Sequence, residues 1–457
     1  MDIGHKTGIV QGPLEMTEKF RQAIIKSWKD RGGNVNSTPE ILSWIKDLNA
    51  NTCVRIEECG IDECSSWIYD DEQGRIVSRN GKFFSITGMR WIIDGEAVSE
   101  QPVIIQPEIG YLGILCAEMD GVLNFLMQAK IEPGNVNCVQ LSPTIQATRS
   151  NFTRVHGGRA PTYLELFSDP SRCTIIYDRI QSEQGSRFLK KRNRNIILRL
   201  NEEDANSLEM NPNFKWMTLG QIKELMKEDN LVNMDTRTVL SGLPLEGTDS
   251  YEYIGNIHRK LNDYRMYHDV DTEEVPLPEL ADWTVSGHGI DCKRPADFMV
   301  RYYNIEIEGR EVRKWDQPLF KAAGMATFGL ISRVHEGKTE YLIRLKPEIG
   351  CFDMAEMGPS VQWEPTNDAS GDTKVDKLFR DKVASNEGII TDVILSEEGG
   401  RFYHEQNRNL IIKIEENELP EIPDDYAWAD LASLSRMIRS GSDLNIQLRN
   451  LVSLIDL

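Results

Sequence analysis

The residues best suited to chemistry lie in one polar tract between Gln128 and Tyr163. It holds Gln128, Lys130, Glu132, Gln140, Gln146, Arg149, Asn151, Arg154, His156 and Arg159, and it follows two strand-like apolar runs, Gly110–Leu115 and Val122–Met127. Asp120-Gly121 between those runs is a hairpin turn signal. Lys130 and Glu132 are spaced i, i+2 at the end of the second run, so they share a face of an extended chain. A lysine beside a carboxylate makes either an ion pair or a proton-transfer pair. The arginines Arg149, Arg154 and Arg159, with Arg187, Lys190, Lys191, Arg192 and Arg194 further on, form a local cationic cluster in a chain of net charge −20. Guanidinium forks suit phosphate oxygens, so the cluster points to an anionic ligand.

The elements that must position this tract repeat. GILCAEMDGVLNFLMQAKIEPGNVNCVQLSPTIQ from Gly113 aligns without a gap with GLISRVHEGKTEYLIRLKPEIGCFDMAEMGPSVQ from Gly329. Lys130, Glu132, Gly134 and Gln146 fall on Lys346, Glu348, Gly350 and Gln362. After small shifts of register, SEQGSRFLKKRNRNIIL from Ser182 matches SEEGGRFYHEQNRNLII from Ser396, and Trp216, Asn233 and Arg237 match Trp428, Asn445 and Arg449. Such shifts are what insertions in surface loops produce. The reading is an α+β module present twice. Residues 1–50 form an N-terminal helical segment, 51–241 the first module, 242–276 a helical connector and 277–457 the second module. Only the first copy carries ATRSNFTRVHGGRAP; the second reads WEPTNDASGDTK there, acidic and without arginine. The first module is therefore the expected catalytic one, and Lys346, Glu348 and Gln362 are candidates for a second pocket.

Local signals fill in the elements. Residues 14–30 have helical periodicity, and Ser37, Pro39 and Glu40 form a capping box for the next helix. Residues 54–127 are strand-rich, with breaks at Asp94-Gly95 and Gln101-Pro102. Tyr163–Phe167 reads as a short segment, and Cys173–Gln184 as a run into a helix stopped at Gly185. Asn195–Leu200 is a strand, 216–226 and 233–242 are helix with turn, and 251–267 is the connector helix.

Composition bounds the rest. At 457 residues, 40% hydrophobic and 27% charged, the chain is an ordinary globular protein of more than one core. Its acidic balance argues against a general nucleic-acid or membrane-surface binder. No run approaches a membrane span, and no signal peptide is read at the N-terminus, which implies the cytoplasm. The eight cysteines read as reduced thiols; Cys53, Cys59 and Cys64 lack the paired spacing of structural zinc. A dinucleotide fingerprint, a phosphate loop, HExxH and GxSxG are all missing, so no metal site is expected and chemistry falls to side chains.

QPEIGYLGI, LMQAKIEPGN, QLSPTIQATRSN, RVHGGRAP and SEQGSRF together resemble the NDP-hexose 2,3-dehydratases of deoxysugar biosynthesis, and the resemblance covers most of the chain. It implies Nudix-like modules in tandem. SEQG and SEEG are similar to the tail of a Nudix box, but the full carboxylate array is missing, so metal-dependent diphosphate hydrolysis is not expected. It implies a dTDP-4-keto-6-deoxyhexose substrate that loses its C2 hydroxyl as water, without metal or redox cofactor. A homodimer and a downstream 3-ketoreductase acting on the unstable product are further implications. For that reaction Glu132 or His156 is a candidate base, and Lys130 or Tyr163 a candidate enolate stabiliser or acid. Arg149, Arg154 and Arg159 would take the diphosphate, and Gln140, Gln146 and Asn151 sugar or base edges. The competing readings are a nucleotide-sugar-binding protein without turnover and a nucleotide-diphosphate hydrolase.

Overall fold

The computed structural model describes residues 18–148, 160–245 and 252–456, apart from positions 82 and 311. Two seven-stranded sheets form its body. In the first, the strands run Cys173–Ser182, Arg192–Leu200, Tyr111–Met119, Val122–Ile131 and Phe214–Thr218, and Val139–Ser142 and Ile145–Ala147 attach to the central hairpin. In the second, Ile389–Ser396, Gln406–Lys413, Ala326–His335, Lys338–Pro347 and Tyr426–Asp430 repeat that order, with Ala355–Pro359 and Val361–Trp363 in the attached places. Among the described residues each sheet has one parallel strand pair, at the same point: Arg192–Leu200 on Tyr111–Met119 and Gln406–Lys413 on Ala326–His335.

The hairpin expected at Asp120-Gly121 forms, with φ of 49° and 72° at those two residues. Both central positions are left-handed, which matches the twist of the flanking strands. The capping box also forms: Ser37 N–H donates to Glu40 Oε2 at 2.7 Å, ahead of the helix Thr38–Asn51. Among the described residues the first helix spans Glu18–Lys29, and it buries Phe20, Ile24 and Trp28 against the first sheet.

Three expectations change. Cys173–Ser182 is a strand rather than a run into a helix, and SEQG is the loop that follows it. Its Thr, Ile and Tyr residues are strand formers, and they pair along Arg192–Leu200. The helix expected over 216–226 begins only at Leu219, because Phe214–Thr218 closes the sheet edge against Asn124–Gln128. The strand expected to break at Gln101-Pro102 runs unbroken through Glu96–Ile105. Proline is tolerated because that strand pairs in its sheet only with Ser85–Ile93.

Two smaller sheets exchange strands between the halves. Val54–Cys59 pairs with Phe298–Ile307 of the second half, and Val270–Val275 pairs with Ser85–Ile93 of the first. The stretch read as connector therefore contains the helix Glu252–Tyr267 and then a strand built into the other half's sheet. The halves also share an apolar core. Ile114 and Phe125 lie in one cluster with Leu330, Ile343, Ile411, Leu448 and Leu451. No helix among the described residues is long and apolar enough to cross a membrane.

Candidate active site

The strand Val122–Ile131 ends at the pair singled out by spacing. Lys130 Nζ lies 3.1 Å from Glu132 Oε1, and both side chains are about nine-tenths buried. Gln146, on the short strand Ile145–Ala147, donates its amide to both Glu132 oxygens at 3.2 and 3.3 Å. Asn233 in turn donates to Gln146 Oε1 at 3.3 Å and to Ser142 Oγ at 2.9 Å, while its own Oδ1 caps the helix Met234–Leu240. The helix cap and the Glu132 carboxylate are thus joined through two amides.

The second module repeats the network. Gln362 donates to Glu348 Oε1 at 2.8 Å, and Asn445, the cap of the helix Ile446–Leu454, donates to Gln362 Oε1 at 3.0 Å. Lys346 acts on Glu348 through its charge.

Neither site belongs to one module alone. Gly134 N–H donates to Gly399 O at 2.7 Å, and His404 N–H donates to Gly134 O at 2.9 Å. In the duplicate junction Gly350 N–H donates to Gly185 O at 2.7 Å, and Lys190 N–H to Gly350 O at 2.8 Å. Each K-x-E turn is therefore seated on the other module's SEQG or SEEG loop. A Cβ added at Gly400 would collide with Glu398 Oε1 and lie 3.5 Å from Glu132 Oε1, so the two carboxylates meet on one side of that glycine.

Electrostatics separate the carboxyls. Burial opposes ionisation of Glu132, but the Lys130 ammonium and the Arg310 guanidinium outweigh it and hold the group below the usual carboxylate range. Burial, then the neighbouring Glu183, Glu398 and Glu132, push Asp235 well above that range. Burial and Glu132 push Glu398 up to about 7. Glu348 is raised by burial in spite of Lys346. Glu356 is pushed up to about 7 and Glu405 to about 8, burial being the main cause in both.

Raised carboxyls hold protons in the folded chain at a pH where an unfolded chain, with ordinary values near 4.5, has released them. Folding therefore weakens as pH rises from about 4.5 to about 8. Glu132 has the opposite sign, but its contribution is lost only on the acid side of that window. Thermal unfolding should show a higher midpoint at pH 5.5 than at pH 8; a higher midpoint at pH 8 would contradict this charge assignment.

The structure brings Lys130, Glu132 and Gln146 together, and likewise Lys346, Glu348 and Gln362. Arg149, Asn151, Arg154, His156 and Arg159 lie outside the described residues, in a segment that begins two residues beyond the Ile145–Ala147 strand. Gln140 is fully buried; it donates to Asn137 Oδ1 at 3.2 Å and Ser396 Oγ at 2.7 Å, and so ties the strand to the second module's loop. Tyr163 is not brought to the pair. Its hydroxyl donates to Glu209 O and accepts from Asn211 N–H, and its ring packs edge-on against Phe214 in a separate apolar cluster. Sequence reasoning passed over Asn233, Asp235 and Glu398 as site residues. Asn233 was visible as a repeat match to Asn445. Asp235 and Glu398 were visible only as differences, since the aligned residues are Gln447 and Gln184. Among the described residues no group of three or more His, Cys, Asp or Glu is arranged to hold a metal ion.

A duplicated α+β chain whose paired lysine and carboxylate are buried among carboxyls of contrasting charge state is built for acid–base chemistry. The chain belongs to the NDP-hexose 2,3-dehydratase family, whose profile matches residues 38–243 and 255–455. It is 34% identical over 438 residues to a dTDP-4-dehydro-6-deoxy-alpha-D-glucopyranose 2,3-dehydratase of Streptomyces violaceoruber, covering 92% of this chain and 97% of that one. Proteins of the same name from Amycolatopsis orientalis and Saccharopolyspora spinosa are each 36% identical, over 430 and 448 residues. They cover 92% and 91% of this chain and 90% of their own.

Proposed function

We propose that this chain removes water across C2 and C3 of a dTDP-4-keto-6-deoxyhexose to give a dTDP-3,4-diketo-2,6-dideoxyhexose. The relatives act, by name, on a dTDP-4-dehydro-6-deoxyglucose, and the site carries the groups this reaction needs. The C4 ketone acidifies the C3 proton; a carboxylate takes it, and a cation stabilises the enolate oxygen. The observation that carries the reading is Glu132, buried beside the Lys130 ammonium and held below the usual carboxylate range. Glu132 acts as base and Lys130 steadies the enolate, while Gln146 orients the carboxylate from behind. His156 stands as an alternative base. Arg149, Arg154 and Arg159 supply cations for the diphosphate, and Asn151 a sugar contact, in the segment that leaves the Gln146 strand.

The two large sheets with their matching loops are consistent with Nudix-like modules, and the repeated Lys346–Glu348–Gln362 network with a second nucleotide-sugar pocket. The chain would work as a homodimer, in the cytoplasm, ahead of a 3-ketoreductase that consumes the diketone. The test is incubation with dTDP-4-keto-6-deoxyglucose in the presence of a chelator, with the product trapped by a 3-ketoreductase. A dehydratase consumes the sugar and yields a trapped 2,6-dideoxy product. Intact substrate would mark a binding protein, and release of dTMP a diphosphate hydrolase; either outcome refutes the proposal.

A further inference from the structure

We propose that Glu398, supplied by the second module, is the general acid that protonates the departing C2 hydroxyl in the site built by the first. The inference rests on the dehydratase reading. Three observations carry it. Glu398 Oε1 and Glu132 Oε1 both lie within 3.5 Å of the point where a Cβ on Gly400 would stand, so the two carboxylates are close enough for one small ligand group to meet both. The SEEG loop is fixed to the first module by the backbone bonds at Gly134 and by Gln140 on Ser396, so this placement does not depend on a free side chain. Of the four carboxyls gathered here, Glu398 keeps partly accessible surface, whereas Asp235 is 2%, Glu183 7% and Glu132 8% exposed. Glu398 is therefore the member that can present a proton to a bound sugar.

The duplicate site supplies the contrast. There the equivalent of Glu398 is Gln184, whose amide donates to Glu397 Oε2 at 2.5 Å, and the equivalent of Asp235 is Gln447. An amide keeps the shape of the carboxyl and has no proton to give. The Lys–Glu–Gln–Asn network is common to both sites; the duplicate gathers Glu356, aligned with Gln140, near Glu348 instead, so the two sites differ in where a protonated carboxyl stands. Burial and the Glu132 charge bring Glu398 to about 7, where a group both releases and recovers a proton at neutral pH.

The step balances as follows. Glu132 takes the C3 proton, and the C3–H electrons form the C3–C4 enolate. As the C4 carbonyl re-forms, those electrons make the C2–C3 double bond and the C2–O bond breaks with its pair on oxygen. Glu398 protonates that oxygen, and water leaves. The proton on Glu132 and the vacancy on Glu398 then cancel by transfer through solvent, so the sugar has lost one water and the protein is unchanged. Asp235, pushed well above the usual range by burial and its neighbours, holds its proton and so limits the negative charge gathered with Glu132, Glu183 and Glu398.

The test uses the full chain with dTDP-4-keto-6-deoxyglucose in deuterated buffer. Glu398→Gln should lower dehydration by about 10²–10⁴-fold, the usual contribution of a positioned acid. It should still wash deuterium into C3, because proton removal precedes the lost step. Glu398→Asp should recover part of the rate. Binding of dTDP and the thermal midpoint, read alongside, show that the variant is folded, and Gln184 shows that a glutamine fits such a loop. Normal dehydration by Glu398→Gln overturns the proposal. So does loss of C3 exchange together with dehydration in a folded, dTDP-binding variant, which would make Glu398 part of the base. Absence of dehydration in the unmodified chain would instead sink the dehydratase reading itself.

Discussion

Glu132→Gln is expected to lower the dehydration rate by about 10²–10⁴-fold, the range for loss of a positioned base, with little change in affinity for dTDP. The amide can keep the hydrogen bond from one side of Gln146 and loses the charge that Lys130 faces at 3.1 Å. In deuterated buffer it should abolish C3 exchange, in contrast to the acid variant, so the two half-steps separate. Lys130→Met gives a second reading of the same pair. Burial already works against the Glu132 charge, and the ammonium is the first influence that offsets it. Without Lys130 the carboxyl pKa should rise, and the acid limb of the rate–pH profile should move to higher pH. Near-normal turnover in Glu132→Gln, or an unmoved acid limb in Lys130→Met, would remove the pair from the chemistry and leave His156 as the base.

Gly134→Ala and Gly350→Ala are expected to cause the largest losses of stability. A Cβ at Gly134 would fall on the Phe402 carbonyl oxygen, and one at Gly350 on the Phe188 carbonyl oxygen. The obstruction is backbone in both cases, so no side chain can turn aside. Overpacking of this kind costs about 1–3 kcal/mol or more, and the bonds from Gly134 to Gly399 and from Gly350 to Gly185 would be strained as well. Urea or thermal unfolding should show both variants destabilised to a similar extent, because the two junctions are related by the duplication. Activity should not be symmetric. Gly134→Ala displaces the loop that carries Glu398 past Glu132, so the rate at a permissive temperature should collapse. Gly350→Ala disturbs the Gln184 side, and the surviving folded fraction should keep its specific activity. Equal loss of specific activity in both would mean that the second site takes part in turnover.

Much of the fold was legible because it rests on local rules. The Asp120-Gly121 turn, the Ser37–Glu40 capping box and the helix ending at Tyr267 are set by neighbours a few residues apart. Cys173–Ser182 departs from the helix expectation although its Thr, Ile and Tyr residues favour a strand, and the partner that fixes it lies ten or more residues away. The exchange of Val54–Cys59 and Val270–Val275 leaves no local trace, because either strand would serve either sheet by composition.

The chain's own order of residues determined that there are two copies, that each holds a lysine and a carboxylate on one strand face, and that one copy is followed by an arginine-rich tract. Alignment of the copies compares each module with its sibling and is blind to contacts between them. Only the tertiary structure decided that the K-x-E turn of one module rests on the SEEG loop of the other, which sets Glu398 near Glu132 and Asp235. The reason is physical. Charge states in a buried cluster depend on distances between groups hundreds of residues apart, and those distances exist only once both modules have packed on their shared core.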